Sequence, residues 1–167
     1  MPALRAGIHA FGAAAQAWMA GSSPAMTSSA SGAVRAIERD LAIRTYDIDF
    51  AGIVSNIVYV RWLEDLRLAM MEEAYPIAQA LAEDVAPILL ETRIAYERPV
   101  TIHDALKGRM WATAMGRIKW HLAAEFRVGG AVHARAEQVG LFIRLSTRRP
   151  IAPPMALRQR FAPEAPA

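Results

Sequence analysis

Between Asn56 and Ala74 the apolar residues Tyr59, Leu63, Leu66 and Met70 recur at spacings of four, three and four. That period puts them in one stripe along an α-helix. Arg61, Glu64, Asp65, Arg67 and Glu72 fall mostly off the stripe, so the segment reads as a helix with one face for a core. Ser55 or Asn56 can cap its start. Pro76 ends it or opens a short second helix over Ile77–Glu83. Ahead of the helix, Leu41, Ile43 and Thr45 share one face with Arg44 on the other, which predicts a short strand over Leu41–Tyr46 and then a loop, Asp47–Ser55. Beyond the second helix, strands are predicted over Ile88–Tyr96, Ala105–Ala114, Ile118–Val128 and Ala131–Leu145. Leu106, Met110 and Ala112 share a face of the second of these, and Gly129–Gly130 makes a hairpin turn. One strand, a long helix and four successive strands imply an antiparallel sheet packed on a helix, an α+β layout.

The two ends of the chain look different from this middle. Residues 1 to about 34 carry one charged side chain, Arg5, and Ala, Ser and Gly dominate. A signal peptide with Arg5 as its n-region, a flexible tail and a start codon placed too early, with Met26 as the better start, are the competing readings. The tail and the early start are favoured, and residues 1–36 are expected to have no folded role. The folded domain is expected over residues 37–155. The Pro- and Ala-rich end, residues 156–167, is expected to fray.

Composition narrows the function classes. The 167 residues suit one domain, with 54% hydrophobic and 21% charged residues. No apolar run is long enough for a membrane helix. The net charge of +3 comes from Lys and Arg scattered among acids, which does not signal nucleic acid. There is no cysteine, so disulfides, thiol nucleophiles and thiolate metal sites are excluded, and a cytoplasmic location is the expectation. His9, His103, His121 and His133 form no metal-type pair, and no Gly-x-Ser-x-Gly elbow is present. No metal and no cofactor are expected.

The chemistry concentrates at Asp47–Val54, where two carboxylates and a glycine stand just ahead of the long helix. A helix start offers free backbone N–H groups and a partial positive charge. An acid or base beside such a site is the minimum equipment for acyl transfer. Asp49 is the candidate catalyst, although acids before helices are very often only caps or turn residues. Asp47 reads as structural. Gly52 permits an unusual backbone angle or the close approach of a ligand. Asn56 is a cap, or the residue whose backbone N–H receives an oxyanion. Tyr59 and Trp62 have core spacing and are also the candidates to line an acyl pocket. Glu64 is an alternative general base. Arg117 and Lys119 alternate with Ile118 and Trp120 and are either the wet face of a sheet or a phosphate site.

The string Asp47-x-Asp49-x-Ala51-Gly52-Ile53-Val54, followed by Tyr59-x-Arg61-Trp62-Leu63 and Arg67, resembles the hotdog-fold thioesterases, and among them the 4-hydroxybenzoyl-CoA thioesterase type. Tyr96-x-x-Pro99-Val100 with Asp104-x-Leu106, and Arg149-Pro150-Ile151-Ala152-Pro153, add two further pieces in the right order. Together they span about residues 40–155. The resemblance implies a hotdog fold, an antiparallel sheet wrapped around a long central helix. It implies that Asp49 is the catalytic residue and that the Asn56 backbone N–H polarises the substrate carbonyl. Asn56 stands where relatives often carry histidine or tyrosine, and His103 where a glycine is frequent. The nearest matches to the family's coenzyme A contacts are Arg117 and Lys119. A homodimer or homotetramer with its site at the subunit interface is implied, with no nucleic acid and no membrane span.

The activity implied is hydrolysis of an acyl- or aroyl-CoA thioester, with Asp49 attacking the carbonyl or activating water. The alternatives are a thioesterase acting on acyl carrier protein and a non-catalytic protein that binds acyl thioesters.

Overall fold

The structure is a computed structural model, and it describes residues 35–161. The expectations about residues 1–34 and 162–167 lie outside the described residues. Six strands form one antiparallel sheet: β1 (Ala36–Leu41), β2 (Val85–Tyr96), β3 (Leu106–Met115), β4 (Lys119–Val128), β5 (Ala131–Arg144) and β6 (Arg149–Ile151). The strand order is β1-β3-β4-β5-β2, and β6 pairs with β5. Among the described residues, three helices accompany it: α1 (Asn56–Ala74), α2 (Ile77–Ala82) and α3 (Met155–Phe161).

The 3.6-residue period of α1 decides which side of it meets the sheet. Val58, Tyr59, Trp62, Leu63, Leu66, Met70 and Met71 are buried, a wider stripe than the four residues predicted. They meet Leu41, Leu106, Met110, Phe126, Ala134 and Phe142 in one continuous core. In β3, Leu106, Met110 and Ala112 are buried on one face, as their alternation implies. Register shifts at Leu89/Glu91 in β2, Ala112/Ala114 in β3 and Phe126/Arg127 in β4 insert bulges. Bulges bend strands and sharpen twist, which lets a sheet curl over a helix. Gly129 and Gly130 turn the β4–β5 hairpin with φ of 55° and 85°, the backbone a two-residue turn requires.

Three expectations need correction. The first strand is Ala36–Leu41, not Leu41–Tyr46, and Thr45–Asp47 form a single 3-10 turn. The cause is local: the Asp47 carboxylate accepts the Arg44 N–H at 2.9 Å, which draws the chain out of extended conformation. The strand β6 lies outside the predicted elements because it is three residues long and holds Pro150, which lacks a ladder donor and so sits at an edge. The C-terminal segment does not fray through Phe161. It forms α3, whose Leu157 and Phe161 are 3% and 1% exposed. Two apolar residues four apart on one helical turn are enough to dock it.

Among the described residues, β2 is an outermost strand of the sheet. It is twelve residues long, and Ile88, Leu89, Leu90 and Tyr96 are 37–50% exposed. No helix among the described residues is long and apolar enough to cross a membrane.

Candidate active site

The loop before α1 is built around two acids with opposite surroundings. Asp47 is 3% exposed. Its carboxylate accepts the Arg44 N–H and the guanidinium of Arg61, and its backbone carbonyl accepts the Ser55 N–H at 2.9 Å. These contacts fix where α1 begins, the structural role the sequence suggests. Asp49 is half-buried. One carboxylate oxygen accepts the Ala51 N–H at 2.8 Å, and its backbone closes a turn through Gly52 N–H at 3.0 Å. The second oxygen has no hydrogen bond among the described residues. Gly52 has φ of 78°, and nothing lies within 4 Å of where a Cβ would stand. It serves the left-handed turn, not a close approach within the chain.

The helix start is open. Ser55 is the N-cap residue but gives no side-chain cap, and the first turn holds no acid. Ser55 C=O accepts the Val58 N–H at 3.0 Å. The Asn56 N–H has no acceptor among the described residues and remains one of the free donors of the helix terminus. Asn56 is exposed. Its carbonyl accepts the Tyr96 hydroxyl at 3.3 Å, which ties the end of β2 to the first turn of α1. Between them is a cleft of about 230 Å³ lined by Asn56, Tyr59, Tyr96, Pro99 and Val100 among others. Burial, then the nearby Tyr96 and Asp104, push the Tyr59 phenol up to about 12. Burial raises Tyr96 as well. Asp104 is held below the usual carboxylate range, chiefly by hydrogen bonds from the Thr101 backbone N–H at 2.6 Å and hydroxyl at 2.9 Å.

Residues 43–161 match the family model described as the thioesterase-like superfamily. The chain belongs to this superfamily. Its curled antiparallel sheet on a central helix is the superfamily's hotdog fold. Among solved structures, it is similar to YbaW, a probable thioesterase from Escherichia coli, at 23% identity over 75% of this chain and 94% of that one, with a TM-score of 0.65. It is similar to Slr0204, a 1,4-dihydroxy-2-naphthoyl-CoA thioesterase from Synechocystis, at 16% identity, 75% and 94% coverage and a TM-score of 0.68. It is also similar to SAV2348 from Staphylococcus aureus, solved in complex with CoA, at 14% identity, 83% and 93% coverage and a TM-score of 0.72. Comparison with curated proteins returns no match.

Within this hotdog domain the sequence candidates divide. Asn56 and Tyr59 share the cleft, whereas Asp49 is not among the residues that line it. Trp62 is 6% exposed and packs edge-on against Tyr59, with ring centroids 5.3 Å apart. It borders a second, polar groove of about 390 Å³ with Arg44, Asp47, Arg61 and Glu64. Glu64 pairs with Arg67. Arg117 and Lys119 are exposed in the β3–β4 turn, which Gly116 N–H closes onto Lys119 C=O at 2.9 Å. Lys119 pairs with Leu141 of β5, while Tyr96 beside the cleft pairs with Ala134. The turn therefore lies toward the opposite end of the sheet, roughly 23 Å away along the strands, since Leu141 and Ala134 are seven residues apart.

Tyr96 and Gln138 stand outside the sequence candidates. Tyr96 was seen only as part of a strand motif, not as a partner of Asn56. Gln138 is 2% exposed, accepts from Arg67 at 2.8 Å and donates to Thr92 at 3.1 Å. Its signal was present: Gln138 has the parity of Ala134 and Ala136, the inward positions of β5.

Proposed function

We propose that this protein hydrolyses an acyl- or aroyl-CoA thioester to the free acid and coenzyme A. Membership of the thioesterase-like superfamily supports the reaction class. The observation that carries the reading is the uncapped start of α1, where Asn56, whose N–H has no acceptor among the described residues, lines a cleft together with Tyr59 and Tyr96. A thioester carbonyl directed at that N–H meets the positive end of the helix, which favours the developing oxyanion. Asp49 supplies the base or the nucleophile. It has an oxygen to spare, and the turn at Gly52 holds it in the loop leading to the same helix start. As nucleophile it forms a mixed anhydride that water then cleaves; as base it takes the proton of the attacking water. Coenzyme A leaves as its thiolate on either route.

The reading requires a second subunit. A free, apolar twelve-residue edge is an open template for another strand. Antiparallel pairing of β2 with a second copy about a two-fold axis sets the Ile88 end of one strand beside the Tyr96 end of the other. That symmetry carries the Arg117–Lys119 turn of one subunit toward the cleft of its partner, where these cations can hold nucleotide phosphates. On this reading a homodimer is the smallest assembly that can bring Arg117 and Lys119 to the cleft. Thiol release from acyl-CoA esters, compared between the wild type and Asp49→Asn, tests the reading.

A further inference from the structure

Tyr59 is 2% exposed. Trp62, Tyr96 and Phe126 hold its ring edge-on at centroid distances of 5.3, 5.1 and 5.1 Å. Packing alone would be served by phenylalanine, so the hydroxyl needs a reason. A buried phenol ordinarily finds a hydrogen-bond partner. This one has none among the described residues. Yet it is not sealed in: among the described residues, Trp120 Nε1 is the only side-chain polar atom that is both fully enclosed and unpartnered. The Tyr59 oxygen therefore opens on space, and the space that Tyr59 lines is the cleft at Asn56.

Direction agrees with this. Side chains on a helix lean toward its N-terminus, and residues three apart share a face. Tyr59 follows Asn56 by three, so the general lean of helical side chains favours placing its hydroxyl on the Asn56 side of the cleft they both line. The hydroxyl of Tyr96 is already spent on the Asn56 carbonyl, which leaves Tyr59 as the unspent donor. Because its ionisation is pushed up to about 12, it keeps its proton at any pH where thioesters survive in water.

We propose that Tyr59 Oη–H is a second hydrogen-bond donor to the acyl oxygen of a bound thioester, forming with the Asn56 N–H a two-donor oxyanion site. The proposal rests on the hydrolytic reading above. As the nucleophile's electron pair bonds to the carbonyl carbon, the π pair moves onto oxygen, and Tyr59 stabilises it without giving up its proton. When that pair returns, the C–S bond breaks and its electrons leave on the coenzyme A thiolate. Tyr59 is unchanged by the cycle.

The test is Tyr59→Phe, which keeps the ring and its aromatic contacts. With whichever of benzoyl-, butyryl- and palmitoyl-CoA the wild type turns over fastest, kcat is expected to fall about 100-fold with KM changed less than about three-fold. A loss carried wholly by KM overturns the proposal. A second readout does not need turnover. In Asp49→Asn protein, the infrared carbonyl band of bound ¹³C=O-labelled benzoyl-CoA is expected below its solution position. Adding Tyr59→Phe is expected to move it back toward that position, which a merely structural role would not do. A band indifferent to Tyr59→Phe overturns the proposal. If the wild type binds the ester without hydrolysing it, a Tyr59-dependent band upholds the donor role while the hydrolytic reading falls. If none of the three esters binds, both fall.

Discussion

Arg61 reaches back from the second turn of α1 to the carboxylate of Asp47, two residues before the candidate catalyst Asp49. The pair is asymmetric, because the Asp47 side chain is 4% exposed and that of Arg61 is 56% exposed. The acid is the buried member of the pair and the guanidinium is the solvent-exposed one. This anchor sets the start of α1, and with it the direction in which the Asn56 N–H points.

The asymmetry predicts unequal costs. Asp47→Ala leaves the Arg44 N–H without its acceptor and releases the loop, at about 2–4 kcal/mol. Arg61→Ala removes an exposed partner, and the expected cost is at most about 1 kcal/mol. Urea unfolding followed by far-UV circular dichroism measures both. Equal losses would show that the pair, not the buried acid, holds the loop.

Gln138 joins α1 to the sheet through Arg67 on one side and Thr92 on the other. Replacing it with leucine puts an apolar group against a guanidinium whose side chain is 12% exposed. A loss of about 1–3 kcal/mol is expected, larger than for Gln138→Glu, which keeps an acceptor for Arg67. Thermal melts of the two variants decide the order.

Alkaline pH should destabilise the fold through its tyrosines. Tyr59 is raised from 10.0 to about 12, so the unfolded chain loses this proton first. The stabilisation is complete below pH 10 and is lost as pH rises from 10 through about 12. Tyr59→Phe removes this contribution, so its stability should fall less steeply over that window. Denaturant midpoints at pH 8, 10 and 11 test the slope, and parallel curves for the two proteins would contradict it.

The free edge of β2 predicts the assembly. Changing Ile88 and Leu90, 37% and 50% exposed, to lysine places charges on an edge meant for pairing. Sedimentation velocity should show a dimer or larger species for the wild type and monomer for the double variant. Thiol release should fall with it, since the convergence of Arg117 and Lys119 on the cleft depends on pairing.

Much of this architecture is legible in the sequence. The stripe Tyr59, Leu63, Leu66, Met70 gives α1 its limits and its buried face, and alternation finds four of the six strands. The misses share a cause: contacts that sequence spacing does not encode. Asp47 bends the chain where alternation suggests strand, because a carboxylate three residues away competes for the Arg44 N–H. Leu157 and Phe161 look like a frayed tail until the core offers them a place. At the candidate site, Asn56 and Tyr59 line one cleft because residues three apart on a helix share a face. Tyr96 arrives from forty residues away and leaves no local mark. Arg117 and Lys119 lie toward the other end of the sheet from the cleft within one chain, a separation that residue spacing in the sequence does not show.

The central claim is that Asp49 performs the chemistry at the start of α1. Its most direct test is colorimetric thiol release from aromatic, short-chain and long-chain acyl-CoA esters by wild type and by Asp49→Asn. Turnover of at least one ester that drops about 100-fold or more in a folded Asp49→Asn protein is the predicted result. Turnover untouched by the substitution would contradict the account and move attention to Glu64.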